Sequence, residues 1–146
     1  MKDIALYLDY FLVAMVALTI GLILYKALEL WAPKLVFRPS LTERVGNDRS
    51  KLDEAIEVLE AGVPMLAVIA STAPFVGLAG TVMHIMEALR AMSGVGVDIT
   101  VISGPIATAL NSTLVGLASA VPAAVAYNLM QRKLQLMHNR KLRELA

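Results

Sequence analysis

The chain has 146 residues, of which 58% are hydrophobic and 17% charged, and its formal net charge is +1. Soluble domains carry about 25% charged residues, so this composition predicts a membrane protein. The small net charge argues against nucleic acid as a partner. The absence of cysteine excludes disulfides, thiol chemistry and Cys-ligated metal sites. We expect a single membrane domain over residues 1–146, with no catalytic residues, no metal and no cofactor.

The first apolar run predicts a transmembrane helix at about residues 6–30, with Tyr25 and Trp31 as interfacial anchors. The acidic start of the run, and the lack of a cleavage motif after it, distinguish it from a signal peptide. Asp9 lies near the start of the run. Carboxylates at such a boundary are more often solvated than functional, so we interpret Asp9 as a solvated side chain.

Residues 31–60 are polar and predict a cytoplasmic segment that contains one short helix. Ser50 and Asp53 have the spacing of a helix cap, which places the start of this helix at Lys51. Its acidic residues indicate a solvated face rather than a metal site, because no histidine stands near them in the sequence. These acids are Asp53, Glu54, Glu57 and Glu60.

The second apolar run predicts a transmembrane helix at about residues 61–89. Between residues 61 and 86 it has no formal charge, and His84 is its only titratable side chain. Pro64 and Pro74 lie inside the run, where proline kinks a helix or frees carbonyl groups. Small residues recur at helical spacing and form a stripe: Ala70, Ala73, Gly77 and Gly80.

Residues 90–101 predict a short periplasmic loop, residues 103–131 a third transmembrane helix, and residues 132–146 a basic helical tail in the cytoplasm. Ser103-Gly104-Pro105 is the expected start of the third helix. Small residues form two adjacent stripes on this helix, and such stripes mark close packing between helices in membranes. They are Ala109, Thr113, Gly116, Ala120 and Ala124, and Ser112, Gly116, Ser119 and Ala123.

The distribution of positive charge predicts the orientation of these helices. Of thirteen Lys and Arg, six lie from Lys26 to Lys51 and five from Arg132 to Arg143. Basic loops stay in the cytoplasm. We therefore expect three spans, with the N-terminus periplasmic and the C-terminus cytoplasmic.

The second and third predicted helices carry hydroxyl groups but no acids. Thr81 and Thr113 fall at similar depth on antiparallel helices, where two hydroxyls can line a narrow polar path. Composition alone favours the alternative, in which each hydroxyl bonds back to a carbonyl of its own helix. A transported proton would then need a carboxylate from another chain. His84 is a weaker candidate for the proton carrier, since it sits near the outer boundary.

Two motifs in these helices are specific. The first runs from Ala70 through Pro74, Gly77 and Thr81 to Val82, and continues with Ile85-Met86. The second consists of Ala109-Leu110, Thr113, Gly116-Leu117, Ala120, Pro122-Ala123 and Tyr127-Asn128. Both resemble the second and third helices of the ExbB/TolQ/MotA proton-channel family. Three spans favour the ExbB/TolQ branch over the four-span flagellar stators.

The resemblance implies an all-α membrane protein with three transmembrane helices per subunit, the second and third long and extended into the cytoplasm. It implies a homo-oligomeric ring, usually a pentamer, in the bacterial inner membrane. Within that ring, a dimer of an ExbD/TolR-like single-span protein places a membrane aspartate in the pore, which the second and third helices line. Proton flow then drives a TonB- or TolA-like protein that serves outer-membrane transport or integrity.

The resemblance also assigns residues. Thr81 and Thr113 match the pore threonines that face the partner's aspartate. Positions for helix packing and kinks are Pro74, Gly77, Gly80, Gly116 and Pro122. Minor polar positions are Thr108, Asn111, Ser112 and His84. The sequence departs from the family where Thr108 replaces a frequent glutamate and His84 a usual glycine, and its cytoplasmic segment is shorter.

Rival functions remain open from the sequence. A non-conducting membrane scaffold would use the small-residue stripes equally well. A flagellar-stator-like proton channel subunit is a second alternative. A self-sufficient channel is the least favoured, because no acid lines the second and third helices.

Overall fold

The computed structural model describes residues 2–31, 49–91 and 99–144. Every residue in these ranges is helical except Ala61 and Gly62. The helices are α1 (Lys2–Trp31), α2 (Arg49–Glu60), α3 (Val63–Ala91) and α4 (Ile99–Glu144). Most of the predicted cytoplasmic segment before α2, most of the predicted periplasmic loop and the last two residues of the tail lie outside the described residues.

Three stretches in the described ranges are long and apolar enough to cross a membrane: Leu6–Trp31, Lys51–Arg90, which includes the turn at Ala61 and Gly62, and Ser103–Glu144. For the part of the chain that the structure describes, the prediction of a helical protein with three candidate spans is confirmed. α4 contains 46 residues, which corresponds to about 69 Å at 1.5 Å per residue. A bilayer with its headgroups is ~40–45 Å thick, so α4 is longer than a membrane is wide.

Two predicted helix starts are wrong. α2 begins at Arg49 rather than Lys51, which places Ser50 inside the first turn. α4 begins at Ile99, four residues before Ser103, so Pro105 lies within the helix. A proline removes only one backbone hydrogen bond, and the residues before it can still form the first turns of the helix.

The predicted kink at Pro64 is also wrong, because Pro64 is the second residue of α3. Proline is tolerated in a first turn, where its missing N–H would have no helical partner. The break between α2 and α3 lies instead at Gly62, whose φ of 86° is in the left-handed region that favours glycine. Pro74 and Pro122 do lie inside α3 and α4, which continue through them.

The chain divides into two compact units. The first contains α1 up to Thr19, α3 from Ile69 and α4 up to Pro122. Its helices meet largely through small buried residues, although Leu12, Met15 and Ile69 are also buried. Other large apolar side chains, such as Phe75 and Leu114, are 72% and 64% exposed. The small buried residues include Ala73, Gly77, Gly80, Ala109, Ser112, Gly116, Ser119 and Ala120.

The second unit contains α1 from Ile20, α2, the start of α3 and α4 from Ala123. Here α2 buries one apolar face, including Leu52 and Ile56, and Leu142 packs against it. The opposite face exposes three of the four predicted solvated acids, with Glu60 half-buried. This pattern is typical of an amphipathic helix with one face toward water.

Lys26 and Glu29 form a buried ion pair in this second unit, with 2.6 Å between Nζ and Oε2. Their side chains are 5% and 1% exposed. Lys26 Nζ also donates to the carbonyl of Leu59 at 3.4 Å, at the C-terminal end of α2. A cation there satisfies a carbonyl that has no partner within the helix and complements the helix dipole.

Candidate functional site

α3 and α4 make backbone contact at Gly77 and Gly116, in the first unit. A Cβ added to Gly116 would lie 2.7 Å from the carbonyl oxygen of Ala73 and 3.0 Å from Cα of Gly77. A Cβ added to Gly77 would lie 2.9 Å from the carbonyl oxygen of Ser112. Because the opposing atoms belong to the backbone, a larger residue at either position requires the helices to separate.

Gly80 extends this contact to α1. A Cβ on Gly80 would lie 2.9 Å from Cβ of Ser112 and 2.9 Å from Cδ2 of Leu8. The structure therefore brings together three of the predicted packing positions, Gly77, Gly80 and Gly116. We call this contact the glycine seam.

Thr81 and Thr113 contact each other beside the glycine seam. Their Oγ1 atoms are hydrogen-bonded, and both side chains are half-buried. Thr81 Oγ1 also lies 3.2 Å from the carbonyl oxygen of Gly77 and 3.1 Å from that of Ala109. Thr113 Oγ1 lies 3.4 Å from the Gly77 carbonyl oxygen. Each hydroxyl therefore reaches across to the neighbouring helix, in addition to the back-bond that Thr81 makes within α3.

The hydrogen-bond capacity of the pair limits what it can bind. A hydroxyl has one proton to donate and two lone pairs, and a carbonyl can only accept. If Thr113 donates to Thr81, then Thr81 donates to the carbonyl of Gly77 or Ala109. If Thr81 donates to Thr113, then Thr113 donates to the carbonyl of Gly77. In both arrangements the two protons are used internally, and the pair offers only lone pairs to a further ligand.

The other predicted positions differ in burial and in hydrogen bonding. Pro74 is half-buried and Pro122 is exposed. Thr108 donates back to the carbonyl of Gly104 at 3.2 Å and is exposed, as is Asn111. The roles of the two prolines as kinks stay predictions.

Asp9 is partly exposed, in keeping with its interpretation as a solvated side chain, and it also has defined partners in the structure. Its Oδ2 lies 3.3 Å from Nε2 of His84, and its Oδ1 accepts a hydrogen bond from Oγ of Ser112 at 3.1 Å. His84 Nδ1 lies 2.8 Å from the carbonyl oxygen of Gly80. The side chains of Asp9 and His84 are 41% and 12% exposed. We call these three residues, one from each helix of the unit, the Asp9 cluster.

A cavity of about 140 Å³ adjoins the Asp9 cluster between α1 and α4. This volume is enough for several water molecules, and polar groups on its wall can hold them. Its lining residues are Asp9, Leu12, Val13, Thr108, Asn111, Ser112 and Val115. Three of the four minor polar positions, Thr108, Asn111 and Ser112, therefore line this cavity. The fourth, His84, contacts the carboxylate of Asp9 directly.

The sequence contained one signal for the Asp9 cluster. Asp9 stands at the start of the first apolar run, and His84 stands near the end of the second. Consecutive spans are antiparallel, so these two ends lie on the same side of a membrane. A lone acid and a lone histidine at matching depth are candidates for a pair.

Thr19 is a second residue that the sequence reasoning missed. Its Oγ1 donates to the carbonyl of Met15 at 2.7 Å and contacts Oγ of Ser119 at 3.1 Å. Both side chains are buried, with the two residues 1% exposed. This hydroxyl pair joins α1 to α4.

Comparison with known proteins agrees with the sequence motifs. The model of a family described as the MotA/TolQ/ExbB proton channel family matches residues 47–141. The Tol-Pal system protein TolQ of Haemophilus influenzae is 45% identical over 78 residues, which is 53% of this chain and 34% of that protein. The putative biopolymer transport protein ExbB-like 2 of Helicobacter pylori is 41% identical over 92 residues, 62% of this chain and 59% of that protein.

The biopolymer transport protein ExbB of Neisseria gonorrhoeae is 38% identical over 90 residues, which is 61% of this chain and 41% of that protein. The matched part of this chain therefore spans between about a third and three fifths of the length of these relatives. The predicted resemblance to the ExbB/TolQ branch is confirmed.

Proposed function

Because this chain belongs to the MotA/TolQ/ExbB proton channel family, we propose that it is the ring-forming subunit of a motor driven by the proton-motive force in the bacterial inner membrane. The ring is a homo-oligomer, a pentamer by analogy with the family. It works with a dimer of an ExbD/TolR-like single-span protein, and it energises a TonB- or TolA-like protein for outer-membrane transport or integrity.

The proposed topology has three spans, at about residues 6–30, 61–89 and 103–131. The N-terminus and residues 90–101, which include the connection between α3 and α4, are periplasmic. The segment 31–60 and the tail 132–146 are cytoplasmic. The distribution of Lys and Arg supports this orientation, since eleven of the thirteen fall in the two segments assigned to the cytoplasm or at their edges.

The hydroxyl pair of Thr81 and Thr113 is the observation that carries the proposed function. The glycine seam holds α3 and α4 close enough for the two hydroxyls to bond across the helices. In the proposed ring, this pair faces the pore and the membrane aspartate of the single-span partner. α3 and α4 have no acid between residues 61 and 86 or between residues 99 and 131, so the partner supplies the carboxylate that carries the proton.

Because both hydroxyl protons are used within the pair, the pair prefers ligands that donate a hydrogen bond. A group that offers only lone pairs binds a donor, so it favours a protonated carboxylic acid or a water over an ionised carboxylate. We propose that the pair accepts the O–H of the partner's neutral carboxyl as that side chain passes. This stabilises the form of the carboxyl that can move through the low-dielectric interior without a charge.

Substitution of Thr113 tests this role. Thr113→Val keeps the shape of the side chain and removes the hydroxyl, whereas Thr113→Ser keeps the hydroxyl and removes a methyl group. An interhelical hydrogen bond in a membrane contributes about 0.6 kcal/mol, so both variants should assemble normally. We expect Thr113→Val to abolish energised activity in cells that lack the wild-type chain and Thr113→Ser to retain it. Unchanged activity of Thr113→Val would contradict the role.

The native mass of the complex tests the proposed assembly. We expect a homo-oligomer of this chain alone, and the same oligomer with two copies of the single-span protein when both are produced together. A homo-oligomer that never binds a single-span protein would favour the non-conducting scaffold. Proton leakage through the purified chain without any partner would favour a self-sufficient channel.

A further inference from the structure

We propose that Asp9 and His84 share one bound proton, and that this proton fastens α1 to α3 in the first unit. This proton site is separate from the hydroxyl pair of Thr81 and Thr113. It requires no partner protein and does not depend on the proposed motor function.

The contact of His84 with Gly80 fixes the tautomer of the imidazole ring. Nδ1 lies 2.8 Å from the carbonyl oxygen of Gly80. A carbonyl oxygen can only accept a hydrogen bond, so this contact requires a proton on Nδ1. Ser112 Oγ also lies 3.4 Å from Nδ1, and it can accept from the same N–H while its own proton goes to Asp9. In a neutral imidazole only one ring nitrogen is protonated, which would leave a lone pair on Nε2.

The second ring nitrogen shows that a further proton is needed. Nε2 lies 3.3 Å from Oδ2 of Asp9. With a neutral ring and an ionised carboxylate, two lone pairs would face each other at this distance and repel. One extra proton removes the conflict, because Nε2–H then donates to Oδ2. The site therefore holds an imidazolium next to a carboxylate.

The remaining contacts favour the same state. Ser112 Oγ donates to Oδ1 of Asp9 at 3.1 Å, so the carboxylate accepts one hydrogen bond on each oxygen. A carboxylate that accepts several hydrogen bonds is stabilised in its charged form. With the shared proton in place, Nδ1–H, Nε2–H and the Ser112 hydroxyl each donate to an acceptor. Without it, the Nε2 contact is lost.

The two side chains of the pair differ in how far they are covered. The Asp9 side chain is 41% exposed and lines the cavity of about 140 Å³ between α1 and α4. Thr108 and Asn111 also line this cavity. The ring of His84, at 12% exposure, is mostly covered.

Among the residues that the structure describes, few titratable groups lie on the helices of this unit. The α4 segment packed in this unit, Ile99 to Pro122, has none in its sequence and contributes only the hydroxyl of Ser112 to the cluster. On α3, half-buried Glu87 and exposed Arg90 lie one and two turns beyond His84. On α1, Tyr7 and Tyr10 are 73% and 66% exposed. Lys2 and Asp3 precede them in the sequence.

Nitrogen NMR of the labelled histidine rings tests the shared proton directly. The chain has two histidines, His84 and His138, and His138 also lies 3.7 Å from an aspartate, Asp53. The experiment therefore uses the full chain with His138→Gln, which leaves one ring. At one fixed pH we expect both nitrogens of His84 to be protonated when Asp9 is present.

Asp9→Asn is the matched control. Its amide N–H can donate to Nε2 without an extra proton, so the ring should become neutral with its proton on Nδ1. In the chain with Asp9 unchanged, a neutral His84 ring would overturn the proposal.

Thermal unfolding tests the fastening of α1. In the His138→Gln background and at one fixed pH, we expect Asp9→Asn to lower Tm, because it removes the charge from the contact between α1 and α3. An unchanged Tm would contradict the fastening role.

Discussion

The two compact units of this chain hold their helices together by different means. The first unit uses backbone contact at glycines, hydrogen bonds between hydroxyls and the contact of Asp9 with His84. The second uses large apolar side chains and ion pairs, including the buried pair of Lys26 and Glu29. In lipid, apolar side chains gain little by leaving the hydrocarbon, so helices associate through close approach and polar contacts.

This difference bears on function. Small residues bring α3 and α4 close enough for Thr81 and Thr113 to bond, and they leave the hydroxyls only partly covered. Large side chains at the same positions would keep the backbones apart. The glycine seam therefore creates the polar contact as well as the packing. In the second unit the polar contacts instead neutralise buried charge and complete the end of α2.

The largest loss in the free energy of unfolding is expected from breaking the buried ion pair of Lys26 and Glu29. Lys26→Met removes one partner of this buried pair, and removing one partner of such a pair costs about 3–5 kcal/mol. The measurement is the free energy of unfolding in detergent. Adding Glu29→Leu should recover much of the loss, because two apolar side chains can replace a buried pair.

Lys141 and Glu144 offer a matched control for that substitution. They have the same spacing in the sequence and a distance of 3.0 Å, but the Glu144 side chain is 55% exposed. Lys141→Met should cost about 1 kcal/mol or less, as for other exposed pairs. Equal losses for Lys26→Met and Lys141→Met would show that burial does not distinguish the two pairs.

The next effect is expected at the glycine seam. Gly116→Ala places a methyl group against the backbone of α3, and overpacking of this kind costs about 1–3 kcal/mol. Gly104→Ala is the control on the same helix, because no atom lies within 4 Å of its added Cβ. Alanine has the higher helix propensity, so Gly104→Ala should be neutral or slightly stabilising. Both variants would be compared by oligomer dissociation and by Tm. Equal values for Gly116→Ala and Gly104→Ala would contradict the role of the glycine seam.

The smallest effect is expected at the buried hydroxyl pair of Thr19 and Ser119. Ser119→Ala removes the contact between them, while Thr19 keeps its hydrogen bond to the carbonyl of Met15. Interhelical hydrogen bonds in membranes contribute about 0.6 kcal/mol on average. Tm should therefore fall only slightly. A loss comparable to that of Lys26→Met would mean that hydroxyl contacts dominate the stability of the first unit.

The sequence predicted those features that depend on local pattern. Three apolar runs specified three spans, and the spacing of Gly77, Gly80 and Gly116 predicted close packing. Matching depth on antiparallel helices predicted the proximity of Thr81 and Thr113. The start of α4 was misplaced because proline was treated as a barrier, although a helix can continue through it.

The Asp9 cluster could not be deduced from local pattern. Its formation requires α1 to present Asp9 to α3 and α4 at the right rotation, and rotation is set by packing among all three helices. The sequence indicates that Asp9 and His84 share a depth, but depth alone does not bring two side chains together. The carbonyl groups that bind Thr81 and His84 are likewise invisible in a sequence, because every residue has one.

Proton flux tests the role of the hydroxyl pair most directly. Vesicles containing this chain and its single-span partner would be given a pH gradient, and proton entry would be followed with an internal dye. We predict flux with the wild-type chain and with Thr113→Ser, and none with Thr113→Val, in complexes of equal native mass. Undiminished flux with Thr113→Val would contradict the assignment of Thr81 and Thr113 to the proton path.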